Sequence, residues 1–317
     1  MSKTLYGTVP IIPTPFHDDE TIDEDSLRSL IDFAVTSGIR AVCLPAYASE
    51  FYKLTDEERL LVVRIAVQHA AGRLQIVAQS NHPSLKVAIG LAKANIEAGA
   101  DVISLAVPRT FSLPETSIKA YLSAFFSAIP ETPVLVQDFN PGGASISVNL
   151  INELRLEHPN FKYLKLEEPL CAPKFEAIIQ ATEGQVHVFE GWGGLYILEL
   201  IPVGIRGVMP GLAVADILQK IFTLRKNGDN VKAFELFEKV MPQIFFSLQN
   251  MELFHYAEKE LLMARGVLRN SVSRKAAYVP DASSISYIKE LNERILKVIE
   301  EMKQPVGETF ASPVAFS

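Results

Sequence analysis

The 317-residue chain has only two cysteines, Cys43 and Cys171. Neither has a near neighbour of its own kind or stands in a ligand spacing. A disulfide framework is thereby excluded, and the thiols are expected to be reduced, as in a cytoplasmic protein. A basic excess is lacking too: thirty Lys and Arg stand against 37 Asp and Glu, a net charge of −7. No cluster of Lys or Arg could neutralise a run of phosphates, so nucleic acid is not expected as a partner. Apolar runs all fall short of the roughly 20 residues that a membrane span needs. The opening MSKTLYGTVPIIPTPF breaks its apolar stretch at Pro10, Pro13 and Pro15, so it lacks the continuous core of a signal peptide. The six histidines offer no pair at metal-ligand helical spacing and no HExxH. GxSxG, a Walker loop and a dinucleotide fingerprint are absent as well. Neither a metal nor an external cofactor is expected.

What the chain does have is apolar material, 48% of its residues, arranged with a regular beat. Short β-rich runs alternate with longer segments of helical period, the mark of a βα repeat and a parallel sheet. The runs are Gly7 to Ile12, Ala41 to Pro45, Leu74 to Ala78, Val102 to Val107, Pro133 to Asp138, Tyr163 to Glu167, Val186 to Gly191 and Gly207 to Pro210. Thr55 with Glu58 three residues on forms a capping box ahead of a helix that Gly72 terminates. Eight βα units in about 225 residues predict a closed (β/α)₈ TIM barrel, for which about 250 residues is typical. A doubly wound sheet is the competitor and normally uses fewer strands. Later segments read as helices only: Asn230 to Leu248, Glu252 to Arg265 and Ser283 to Met302. The expected organisation is a barrel over 1–225, a C-terminal helical appendix over 226–303, and a disordered or loosely docked tail over 304–317.

Reactive residues of such barrels sit at the C-terminal ends of the strands or point inward from them. The sixth strand, FKYLKLEEP, is the most unusual. Side chains two apart share a face, so Tyr163, Lys165 and Glu167 point one way and Lys162, Leu164 and Leu166 the other. If the leucines face the helices, a lysine and a carboxylate point into the barrel. Low dielectric disfavours a charged lysine and makes a nucleophilic amine available for imine chemistry. An inward ion pair without chemistry fits the same spacing, and the strand alone does not choose between them. At the end of strand five, Gln137 could hydrogen-bond a substrate hydroxyl or carboxylate, while Asp138 is read as a cap for the glycine-containing loop that follows. After strand two, the small residues of LPAYASEF can present backbone N–H groups to an anion, although a plain βα turn fits equally. Two glycine-containing turns, GWGG at 191–194 and MPG at 209–211, occupy a place where barrels bind phosphate, without a distinctive fingerprint.

Taken in order and spacing, several segments resemble one family. They are GTVPIIPTPF, SEFYKLTDEER, the AGAD before strand four, Lys165, and the stretch from GWGGLYILEL to GVMPG. The likeness, from about Gly7 to Leu268, is to the dihydrodipicolinate synthase and N-acetylneuraminate lyase family of class I aldolases and dehydratases. It implies a small-molecule 2-keto acid substrate, a Schiff base on Lys165, and a homo-oligomer, either tetramer or dimer. Departures from the family pattern bear on the reaction. Ala46, Tyr47, Ala48, Ser49 and Glu50 stand where synthases carry Gly-Thr-Thr-Gly-Glu, and Arg109 or Thr110 and Gln137 replace two family tyrosines. The synthase proton relay is thus not expected. Within the family, the Ser49-Glu50 pair, Gln137-Asp138, Lys165-x-Glu167, Asn250 and KELLMARGVL resemble the L-2-keto-3-deoxyarabonate dehydratases. That likeness implies proton transfer by Glu167, about 7 Å along the strand from Lys165. The substrate carboxylate would lie at Tyr47, Ala48 and Ser49, and distal groups at Gln137, Gly191 and Met209. The alternatives are a retro-aldolase or synthase-like lyase of the same fold, and a keto-acid-binding barrel without turnover.

Overall fold

The computed structural model describes residues 4–108, 112–139, 146–275 and 279–303. Its strands are β1 (Gly7–Thr8), β2 (Ala41–Leu44), β3 (Gln75–Gln79), β4 (Val102–Ala106), β5 (Val134–Phe139), β6 (Phe161–Glu167), β7 (His187–Glu190) and β8 (Gly207–Val208). Helices follow them in turn: α1 (Glu24–Thr36), α2 (Asp56–Ala70), α3 (Leu85–Glu97), α4 (Glu115–Ala128), α5 (Val148–Glu157), α6 (Ala172–Ala181), α7 (Ile197–Val203) and α8 (Ala215–Lys226). Every strand pair is parallel, and β1 pairs with β8 through Gly7 opposite Gly207. The ring closes between β1 and β2, where Ile11 bridges Cys43 and the Cys43 N–H donates to the Pro10 carbonyl at 2.9 Å. This is the expected (β/α)₈ TIM barrel.

Period-two alternation separates two cores. Leu44, Ile76, Ile103, Val136, Leu164 and Leu166 face outward and pack with the helices in the larger cluster. Val9, Ile11, Cys43, Val77, Leu135, Tyr163, Phe189 and Met209 fill the barrel interior. β1 and β8 are shorter than their sequence runs because prolines interrupt both: Pro10 and Pro210 have no N–H to give to a ladder. Glycine is required where these two strands meet, since a Cβ on Gly207 would lie 1.9 Å from the Gly7 carbonyl oxygen.

The capping box of α2 forms as read: Thr55 accepts the Glu58 N–H at 3.2 Å and Glu58 accepts the Thr55 N–H at 2.9 Å. Beyond α8, three more helices follow, α9 (Asn230–Ser247), α10 (Met251–Ala264) and α11 (Ala282–Lys303). Helix α9 lies against α8, and α11 packs on α9 with Phe246 edge-on to Tyr287. Arg265, at the end of α10, grips Asp216 of α8 with two nitrogens at 3.0 and 2.6 Å, a bidentate geometry that fixes orientation as well as distance. The tail over 304–317, the glycine-containing loop after strand five, Arg109 and Thr110 lie outside the described residues. Among the described residues, no helix is long and apolar enough to cross a membrane.

Candidate active site

The carboxyl ends of the strands surround a cavity of about 570 Å³, within the roughly 300–1,000 Å³ usual for small-molecule sites. Lys165, Glu167, Gln137, Tyr47, Ala48, Gly191 and Met209 all line it. These residues come from five strands or the turns after them, brought together by barrel closure. Leu164 and Leu166 do face the helices, so the alternation along β6 turns Lys165 and Glu167 inward, 7% and 8% exposed. Lys165 Nζ stands 3.1 Å from Glu167 Oε1. Burial pushes the Glu167 carboxyl above the ordinary carboxylate range, opposed by the Lys165 charge and by a hydrogen bond from Gln137.

Gln137 is engaged at both ends of its amide. Its Nε2 donates to Glu167 Oε1 at 2.6 Å, and its Oε1 accepts from Gln79 Nε2 at 2.8 Å. Gln137, expected to hydrogen-bond a substrate hydroxyl or carboxylate, lines the cavity, and its amide is also part of a buried chain leading to Glu167. Gly191 lies against the pair so closely that a Cβ there would meet Glu167 Cγ at 2.4 Å and Lys165 Cε at 2.8 Å.

Ser49 requires a correction. Its side chain is fully buried and absent from the cavity wall, because its hydroxyl accepts the Ala46 N–H at 2.9 Å and its own N–H donates to the Ala46 carbonyl at 2.9 Å. It stabilises the 3₁₀ turn Tyr47–Ser49 instead of facing a ligand. The anion-holding capacity of that turn rests on Tyr47 and Ala48, whose N–H groups meet no acceptor among the described residues. Asp138 behaves as a loop cap: it is buried and accepts the Ile146 N–H at 3.0 Å.

A buried ionic cluster behind the turn had no signal in local spacing. Glu50, in the left-handed region with φ 61°, binds Lys259 of α10 at 2.5 Å and Lys53 at 2.9 Å. Lys53 also pairs with Glu252 at 2.6 Å, and the Tyr52 hydroxyl donates to Glu252 at 2.6 Å. These contacts tie the Tyr47–Ala48 wall to α10. The wall opposite β6 comes from the α9–α10 corner, with Leu248, Gln249, Asn250, Met251 and Phe254 lining the cavity. Asn250 spends its side-chain oxygen on the Glu252 and Leu253 N–H groups as the cap of α10.

Part of the backbone N–H set of the two glycine-containing turns is taken up within the protein, that of Met209 by the Glu190 carbonyl at 2.9 Å. Glu190 takes the N–H of Trp192 at 3.0 Å and of Gly194 at 2.8 Å, while Glu258 takes that of Ala213 at 2.7 Å. Burial pushes both carboxyls up to about 7. Among the described residues, no group of three or more His, Cys, Asp or Glu could hold a metal ion.

The profile of the dihydrodipicolinate synthetase family matches residues 4–304. Among characterised proteins, L-2-keto-3-deoxyarabonate dehydratase of Azospirillum brasilense is 26% identical over 275 residues, 84% of this chain and 87% of the relative. The 4-hydroxy-tetrahydrodipicolinate synthase of Maridesulfovibrio salexigens is 29% identical over 246 residues, 75% of this chain and 82% of the relative. Dihydrodipicolinate synthase from Rhodopseudomonas palustris superposes with a TM-score of 0.86 at 25% identity, covering 92% of this chain and 97% of that one. Sialic acid aldolase of Ruminococcus gnavus shares the fold, with a TM-score of 0.84 at 21% identity over 93% of this chain and 98% of that one. The chain belongs to the dihydrodipicolinate synthetase family. It is an enzyme of the lyase, aldolase and dehydratase kind that this family comprises, working through a Schiff base.

Proposed function

We propose that the enzyme dehydrates a 2-keto-3-deoxy sugar acid through an imine on Lys165. The observation that carries this reading is the Lys165–Glu167 contact at 3.1 Å inside the cavity, which sets a carboxylate beside the nitrogen that would hold substrate. The Lys165 amine attacks the C2 carbonyl, and loss of water leaves an iminium that acidifies C3. Glu167 removes a C3 proton, and the electron pair moves into the enamine. The enamine then expels the C4 hydroxyl, to which Glu167 returns the proton, so water leaves. Hydrolysis of the conjugated imine frees Lys165 and the dehydrated keto acid. Tyr47 and Ala48 present N–H groups to the substrate carboxylate, and Gly191 and Met209 bound the rest of the molecule. No external cofactor takes part, since the iminium supplies the electron sink. The similarity to the Azospirillum brasilense dehydratase supports the choice of substrate class. A cytoplasmic homo-oligomer, tetramer or dimer, accompanies this reading.

A second reading, carbon–carbon cleavage or synthase-like condensation, draws on Tyr47. Its phenol belongs to the same cavity and could carry a proton that Glu167 does not. Product analysis separates the two, because pyruvate release indicates cleavage. For the main reading, borohydride with a 2-keto acid should add mass to the peptide holding Lys165. Glu167→Gln should keep that trapping while turnover falls by about 10²- to 10⁴-fold, the usual share of a general base. An adduct on another lysine, or equal losses of trapping and turnover, would sink the assignment.

A further inference from the structure

We propose that Gln79 is a positioning residue for this reaction: its amide sets the direction of Gln137, which keeps Glu167 a hydrogen-bond acceptor beside Lys165. The proposal rests on the reading of Lys165 and Glu167 as the reacting pair. Gln79 ends β3, is 1% exposed and shares the inward face with Val77. On the neighbouring strand β4 the inward residues are Ser104 and Ala106, which pair with Gln79 and Gln137 respectively. Both are small, so the two glutamines meet above them.

The direction of the chain follows from what each group can do. An ionised carboxylate only accepts. Gln137 must therefore turn its Nε2 toward Glu167, at 2.6 Å, which leaves its Oε1 in need of a donor. Gln79 Nε2 supplies it at 2.8 Å. The cost appears at the far end, where Gln79 Oε1 is buried with no hydrogen-bond partner among the described residues. A residue present only to fill space would leave no such orphan, since an apolar side chain of that shape avoids the penalty. The orphaned oxygen is what remains when the direction of the chain is imposed from the carboxylate end. Gln79 does not line the cavity, so it acts on substrate only through Gln137 and Glu167.

The test uses pyruvate, the simplest 2-keto acid, and two variants. Gln79→Glu is nearly isosteric but, ionised, can only accept; it draws Gln137 Nε2 to itself and turns the Gln137 oxygen against Glu167. Gln79→Met fills the space and removes the donor. Two quantities are followed against pH: borohydride trapping at Lys165, and exchange of the pyruvate methyl hydrogens with D₂O, in which Glu167 takes a proton from the imine and a deuteron returns to the enamine carbon. Trapping should stay within about twofold of the wild type. Exchange should fall by about 10- to 100-fold in Gln79→Glu, below the 10²- to 10⁴-fold of losing the base itself. The acid limb of its pH profile should move upward by about one unit, the change expected when a carboxylate loses a hydrogen bond to its charged form. Gln79→Met should shift the limb in the same direction by less, and it keeps the test open if Gln79→Glu does not fold. An unshifted limb in both variants, with wild-type trapping and exchange intact, overturns the role of Gln79 alone. Absence of trapping and exchange in the wild type overturns the Lys165–Glu167 reading and this proposal with it.

Discussion

At the scale of single residues, the site is governed by what lies within a few ångströms of the Lys165–Glu167 pair. Gly191 is the tightest constraint, because no side chain can be accommodated against Glu167 Cγ and Lys165 Cε without moving one of them. Its backbone N–H donates to the Leu166 carbonyl at 3.1 Å, so the strand cannot withdraw to make room. Gly191→Ala should therefore leave the helical circular dichroism unchanged while lowering both trapping at Lys165 and turnover, together and by at least about tenfold. A displacement of about 1 Å can cost 10²-fold. Wild-type trapping in that variant would mean that the pair has slack the packing does not reveal. The contrast with Glu167→Gln is diagnostic: one change disturbs the imine, the other only the proton transfer.

At the scale of elements, the strand-two turn depends on α10 more than on its own sequence. Glu50 neutralises Lys259, a lysine 1% exposed whose amine burial pushes down to about 8. Taking away one partner of such a pair leaves an uncompensated charge in the interior, which typically costs about 3–5 kcal/mol. Glu50→Gln, which keeps shape and removes charge, is expected to destabilise by about that amount in urea denaturation. A loss below about 1 kcal/mol would show that Glu252 and the Val272 carbonyl, which accepts from Lys259 at 2.8 Å, suffice for the cluster. The weakened turn should also bind 2-keto acids less well, since it carries Tyr47 and Ala48.

At the scale of the whole molecule, buried titratable groups set how stability varies with pH. Glu190 and Glu258 reach about 7 through burial against an ordinary 4.5, so the fold retains protons that the unfolded chain releases. The stability tied to each is full below about 4.5 and is lost as pH rises to about 7, at up to about 1.4 kcal/mol per pH unit. Glu167 acts in the same direction. His255 opposes them: burial, then the Lys259 charge, push it down to about 3 from 6.5, so its share is present above about 6.5 and lost as pH falls toward about 3. Burial pushes His158 and His187 down as well, so three histidines act against the three carboxyls up to about pH 6.5. Above about 6.5 the histidine contributions level off while Glu190 and Glu258 still release protons, so stability in urea should decline from about pH 6.5 to about 7.5. Glu190→Gln and Glu258→Gln should each flatten that decline. A curve that climbs across this interval in the wild type would contradict the balance.

The eightfold alternation, the capping box of α2, the three C-terminal helices and the common face of Lys165 and Glu167 are legible in the residues alone. Each is a matter of short-range periodicity: a strand turns alternate side chains to opposite faces whatever it later packs against. Gln79 was within the same reach, as a polar residue that ends β3 on the face of Val77. That its partner is Gln137, 58 residues away, is a product of barrel closure. The same holds for Glu50 and Lys259, separated by 209 residues. Ser49 shows the limit most clearly, because its composition and position suit an anion site. Its hydroxyl turns back to the Ala46 N–H because the packed fold buries that donor, which would otherwise go unpaired.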